Sequence, residues 1–199
     1  MLYSPRIIYA LLAIIFLSGL FIACNESGAD TKETKTLSKE ELVKKGEYLV
    51  SVMGCADCHS PKTFGPNGPV PDKERFLSGH PQNDPLPAIN NDAAKNWILF
   101  AQDGTASVGP WGVSFGANLT PDETGIGTWT EEQFDRALRK GMYKGIEGTR
   151  TLLPLMPWPV YSNLKDEDVK AIFNYLKSIK PVRNIVPEPI APDQLASIK

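Results

Sequence analysis

Five consecutive residues, Cys55-Ala56-Asp57-Cys58-His59, carry the strongest chemical signal in the chain. C-x-x-C-H is the spacing of a covalent haem attachment site. On a helix, Cys55, Cys58 and His59 stand at i, i+3 and i+4, so all three project from one face. Two thiols placed this way can form thioethers with the two vinyl groups of a haem. The imidazole beside the second thiol then lies under the iron and ligates it.

Two other uses of these residues fit less well. A thioredoxin-type redox pair wants its C-x-x-C between a strand and a helix of a βαβ unit, and no such alternation surrounds Cys55 and Cys58. A structural zinc site needs about four ligands. Outside the motif the chain offers only His80 and Cys24, and Cys24 falls in a targeting segment. One covalent haem c is therefore the expected cofactor.

The chain begins with a segment that reads as an address. Arg6 closes a short polar start, and Ile7 to Ile22 form an apolar run. That is the length of a signal h-region, short of the roughly twenty residues of a transmembrane helix. Small Ala23 followed by Cys24 resembles a bacterial lipoprotein box, in which Cys24 becomes the lipidated first residue. An uncleaved anchor helix or an ordinary secretory signal are the alternatives. All three place residues 25–199 outside the cytoplasmic membrane of a bacterium, facing the periplasm. Residues 25–36 are polar, without hydrophobic periodicity, and read as a flexible tether. Without residues 1–24 the chain loses one cation, Arg6, so 21 basic residues become 20 against 23 acidic ones, a net charge of −3. A mildly acidic globule gives no support for nucleic-acid binding.

Residues 37–181 have the length of one domain, and 182–199 form a Pro-rich extended tail. The 17 Pro and 16 Gly break the chain into short helices and long loops. A first helix starts at Ser38, with Glu41 completing a capping box. Its stripe of Leu42, Val43, Leu49, Val50 and Met53 continues up to the haem motif. Gly46, inside that stripe, is expected where another helix approaches closely, the face Phe173–Leu176 of the last helix being the expected neighbour. Residues 61–87 read as a loop wrapping the haem edge. Residues 92–102 read as a helix with Trp97, Ile98 and Ala101 on one side. A stronger helix spans 130–140: Thr130 caps, Gln133 completes the box, and Gly141 ends it. The last helix covers about 165–178 and stops before Pro181.

A helix ending in C-x-x-C-H, a Met in a Pro-flanked loop and a closing aromatic helix resemble a class I cytochrome c. The segments Gly46-Glu47-Tyr48-Leu49-Val50, Asn118-Leu119-Thr120-Pro121-Asp122, Thr124-Gly125-Ile126-Gly127-Thr128-Trp129-Thr130, Pro154-Leu155-Met156-Pro157 and Tyr161-Ser162-Asn163-Leu164 narrow the likeness. They are similar to the cytochrome c subunits of membrane-bound alcohol, gluconate and related dehydrogenases. Those subunits commonly carry several haem modules, whereas this sequence has one motif. The resemblance implies an all-α fold of short helices and long Pro/Gly-rich loops around one haem.

A low-spin electron carrier needs a sixth iron ligand, and a Met there favours the ferrous state. Met156, between Pro154 and Pro157, matches the distal Met of the family. Met53 is expected on the same helix as the motif, in the core, and Met142 is expected to pack. His80 is the competitor, expected in a solvent-facing turn. A carbonyl of the 61–71 loop is expected to orient the His59 ring. Trp111, Trp129 and Trp158, with Asn118 and Thr120, could bond a haem propionate or serve only as core and loop supports.

The function these readings imply is electron transfer: a monohaem cytochrome c passing single electrons from a dehydrogenase or quinol oxidoreductase to an oxidase or another cytochrome. Iron cycling suffices and no catalytic residue is expected. The alternative from another class is a haem sensor or haem enzyme with an open sixth position. A fixed subunit of a dehydrogenase complex would share the chemistry and differ in partner.

Overall fold

The structure is a computed structural model that describes residues 36–198. The expected lipidation residue Cys24, the segment 1–24 and nearly all of the tether lie outside the described residues.

Helix α1 spans Lys39–Val52 and begins as its sequence dictates. The Ser38 hydroxyl accepts from the Glu41 N–H (3.2 Å), and the Glu41 carboxylate accepts from the Ser38 N–H (2.8 Å). The stripe does not run on into the motif. Met53 closes α1, Gly54 turns the chain at a left-handed φ of 68°, and Cys55–His59 form a separate five-residue helix, α2. Glycine reaches that conformation without steric cost. Met53 and the motif are therefore on different helices, contrary to the sequence expectation.

The all-α expectation is corrected by two small antiparallel sheets. Strands β1 (Lys62–Gly65) and β2 (Gly68–Pro71) form a hairpin within the stretch read as loop. The second sheet has the order β3-β4-β5, from Leu99–Phe100, Ala106–Gly109 and Gly112–Phe115. Its register sets Ser107 opposite Ser114 and Val108 opposite Val113. The segments Ala-Ser-Val-Gly and Gly-Val-Ser-Phe flank a tight turn, but four residues a side are too few for a period-2 pattern to stand out from loop.

The helix expected over 92–102 is shorter. Helix α3 (Asn91–Asn96) is capped by the Asn90 side chain and ends at Trp97, which stands 70% exposed before the chain turns into β3. Six residues leave no room for the expected apolar side. Helix α4 (Glu131–Lys140) matches its signals at both ends. Thr130 accepts from the Gln133 N–H, and Gly141 ends the helix at φ 64°. The Gln133 side chain does not close the box; it donates to the Lys144 carbonyl instead. After the short α5 (Trp158–Tyr161), α6 runs over Asp166–Leu176.

The core sits where α1, α4 and α6 meet: Val50, Leu77, Ile126, Phe134, Leu138, Val169, Ile172 and Leu176 are buried together. The expected close approach at Gly46 is found, at Tyr175 of the expected face and, closer still, at the backbone of Ala171 just before it. A Cβ at Gly46 would stand 2.0 Å from the Ala171 carbonyl oxygen and 2.7 Å from Tyr175 Cβ. Lys45 seals the same contact by pairing with Glu167 and Asp168.

Residues 182–191 form no helix, but the expected extended tail is corrected beyond them: Pro192–Ser197 wind into a 3-10 helix, with Pro192 at its first turn, and the tail packs on the domain. Val113 and Ile190 exchange both backbone hydrogen bonds (2.8 and 3.1 Å), and Leu195 joins Ala94, Val108 and Val113 in a second small core.

Gly46→Leu drives a side chain into the α6 backbone and should destabilise the protein by about 1–3 kcal/mol or more. Thermal or urea denaturation measures this; an unchanged midpoint would refute the contact.

Candidate functional site

Helix α2 holds its three chemical residues by what lies against its backbone. A Cβ on Gly116 would come within 2.0 Å of the Cys58 carbonyl oxygen, so the chain leaving β5 rests directly on the motif. That approach carries the next residue, Ala117, to His59. Its carbonyl accepts from His59 Nδ1 at 2.8 Å. The orienting carbonyl therefore comes from the end of β5, and the expected source in the 61–71 loop is corrected. Burial lowers the His59 pKa and keeps the imidazole neutral. With its proton on Nδ1, the lone pair of Nε2 is left for a metal.

Cys55 is half-buried and Cys58 exposed, and they form no disulfide. Burial pushes the Cys55 thiol up to about 11, so it is protonated at neutral pH.

The opposite wall is the loop after α4. Gly141 accepts at its carbonyl from the Leu152 N–H (2.7 Å), Met142 bridges Thr151, and Tyr143 N–H donates to Arg150 (2.9 Å). The Ser114 hydroxyl on β5 donates to the Pro154 carbonyl, two residues before Met156. Its single proton is spent there, so Ser107 donates to Ser114 (2.8 Å). Two strand serines thus pin the loop that carries Met156. The sequence reading missed both.

Between the walls lies a cavity of about 540 Å³, lined by Cys55, Cys58, His59 and Met156 together. Leu119, Ile126, Trp129, Phe134, Leu138 and Tyr161 give it an apolar interior. A volume within the 300–1,000 Å³ of cofactor sites, with two thiols and an imidazole on one wall and a thioether on the other, fits a haem. Among the described residues no cluster of His, Cys, Asp or Glu is arranged to hold a bare metal ion.

His80 is excluded from this site. It is 3% exposed, not solvent-facing, and does not line the cavity. The turn is drawn inward because Gly79 N–H donates to the His59 carbonyl and His80 N–H to the Gly116 carbonyl. Thr105 gives its hydroxyl proton to Asp103, so His80 Nδ1–H donates to Thr105 (2.7 Å).

The propionate candidates separate. Asn118 spends its amide on Thr124 and on the carbonyls of Val182 and Asn184, and its carbonyl on Thr120. The Thr120 hydroxyl accepts in turn from the Val182 N–H (3.1 Å). Both are loop supports that tie down the tail. Trp129 lines the cavity, Trp158 packs on Gly141, and Trp111 is outside the cavity with its indole N–H buried and unpartnered. The cations that do line the cavity are Lys144 and Arg150, around Tyr143. The Arg150 guanidinium stacks on the Tyr143 ring at 3.9 Å, and Tyr143 OH donates to Glu188 at 2.7 Å.

Residues 43–180 match the cytochrome c family. The chain belongs to that family. Its members bind haem c covalently, and the Cys55, Cys58, His59 motif is in place for it. This cytochrome c is 30% identical over 182 residues, 90% of its length, to the fructose dehydrogenase cytochrome subunit of Gluconobacter japonicus. It is 31% identical over 147 residues, 73% of its length, to the gluconate 2-dehydrogenase cytochrome c subunit of Pantoea cypripedii. Over 145 residues, 72% of its length, it is 31% identical to the cytochrome c subunit of the quinone alcohol dehydrogenase of Gluconobacter oxydans. The matches cover 29%, 25% and 23% of those relatives, so the chain spans less than a third of each.

Proposed function

We propose that this cytochrome c carries one haem, thioether-linked to Cys55 and Cys58 and ligated by His59 and Met156, and that it passes single electrons between redox proteins. The observation that carries the reading is the convergence of these four residues on one cavity. Bound there, the haem supplies an iron that alternates between ferric and ferrous. The chain's own residues do the rest. The Ala117 carbonyl fixes the tautomer and tilt of His59. Ser114, Pro154 and Pro157 hold the thioether loop still, and the apolar lining keeps water from the metal. Tyr143, Lys144 and Arg150 are the groups suited to hold the haem carboxylates.

Likeness to cytochrome subunits of fructose, gluconate and alcohol dehydrogenases supports a dehydrogenase or quinol oxidoreductase as electron donor. An oxidase or another cytochrome is the acceptor. With Cys24 lipidated, residues 25–36 tether the haem domain, 37–181, to the periplasmic side of a bacterial membrane. Among the described residues no helix is long and apolar enough to cross it.

Three measurements test this. On a denaturing gel stained for haem, the parent band keeps its colour and a Cys55→Ala, Cys58→Ala double variant loses it; colour removed by acidic organic extraction would refute covalent attachment. Met156→Ala should lower the reduction potential, abolish the ferric iron–thioether band and open the metal to carbon monoxide. A parent that is high-spin and binds carbon monoxide would turn the reading towards a haem sensor or enzyme. Mass spectrometry of the mature N-terminus should find an acylated Cys24; a chain that starts at Met1 would refute the anchor.

A further inference from the structure

The β1–β2 hairpin adds little to the core. Most of its side chains are exposed, Phe64 by 63%. Its half-buried first residue is Lys62, three positions after His59. Lys62 Nζ donates to the carbonyls of Ala56 (2.8 Å), Asp57 (3.0 Å) and Ser60 (2.6 Å). An ammonium has three protons, and all three go to main-chain oxygens of α2 and its cap.

Those oxygens need a partner. The last carbonyls of a helix have none within it and form the negative end of its dipole. In a five-residue helix they are most of the backbone. The His59 carbonyl is taken by Gly79 N–H at 2.8 Å, and Lys62 takes Ala56 and Asp57. The hydrogen bonds of Lys62 all go to carbonyls, and the Asp103 and Asp57 carboxylates act on it through space rather than by direct pairing.

The geometry points to Lys62 as the positioning residue of the motif helix: it locks the α2 backbone that presents Cys58 and His59, and its fixed positive charge raises the reduction potential of the iron they hold. The ammonium sits on the carbonyls of Asp57 and Ser60, the residues that flank Cys58 and His59 in the chain. A cation fixed there disfavours ferric iron relative to ferrous, because the ferric form carries one more positive charge. The inference rests on haem attachment at Cys55 and Cys58 and ligation by His59. A parent without covalent haem would count against that reading and leave the role of Lys62 to fall with it.

The test is potentiometry of the matured full chain as parent, Lys62→Gln, Lys62→Met and Lys62→Arg. At fixed ambient potential the ferrous-to-ferric ratio should fall by about threefold to tenfold in the two neutral variants, 59 mV being tenfold for one electron. Lys62→Arg, which keeps the charge, should stay near the parent even where its thermal midpoint drops. Unchanged ratios in Gln and Met, or an equal fall in Arg, would overturn the electrostatic role. Should the neutral variants fail to mature, the parent still decides. Coupling between sites is reciprocal, so the Lys62 ammonium followed by ¹⁵N NMR must titrate at higher pH in the ferrous form than in the ferric. Equal titration in both forms would refute the proposal.

Discussion

The site depends on the bare backbone of Gly116 lying against the carbonyl of Cys58. Any side chain there would lift the end of β5 off the motif helix. With it would go the Ala117 carbonyl that orients His59 and the Gly116 carbonyl that draws His80 N–H inward. The same strand carries Ser114, which holds the loop of Met156. One strand therefore sets both walls of the cavity, and their separation is fixed by a covalent path of a few residues rather than by distant packing.

The helical part of the fold supplies rigidity behind that strand. Helices α1 and α6 meet backbone to backbone at Gly46 and Ala171, closer than any pair of side chains would allow. Ile172 and Leu176 on α6 and Phe134 and Leu138 on α4 belong to the core and also line the cavity. Part of the surface that stabilises the fold is thus reserved for a flat apolar cofactor. A fold that shares its core in this way suits an electron carrier, because a rigid surround keeps the rearrangement between oxidation states small.

The tail closes the remaining side. Asn118, Thr120 and Thr124 use their polar atoms on the backbone of Val182 and Asn184, and Asn184 in turn donates to the carbonyls of Ser78 and His80 (2.8 Å each). Residues 185–189 then pass along the cavity, with the Glu188 carboxyl held below its ordinary range by Tyr143 OH. Side chains that look in the sequence like cofactor ligands are spent as fasteners.

What the sequence determined by itself was local. The capping box at Ser38, the Thr130 cap, the Gly141 stop and the three-residue spacing of Cys55, Cys58 and His59 depend only on neighbours within a turn of helix, and they were legible for that reason. Membership of the family was legible too, because several short motifs agreed. Tertiary structure decided whatever needed a partner far along the chain. The break at Gly54 turns on a backbone angle that the apolar stripe does not record. The two hairpins were hidden because strands of four residues and fewer are too short for periodicity to separate from loop. Ala117 acts through its carbonyl, which every residue possesses, so no side chain announced it. His80 is buried by bonds from its own backbone and Gly79's to carbonyls of Gly116 and His59, contacts that exist only once the chain has folded.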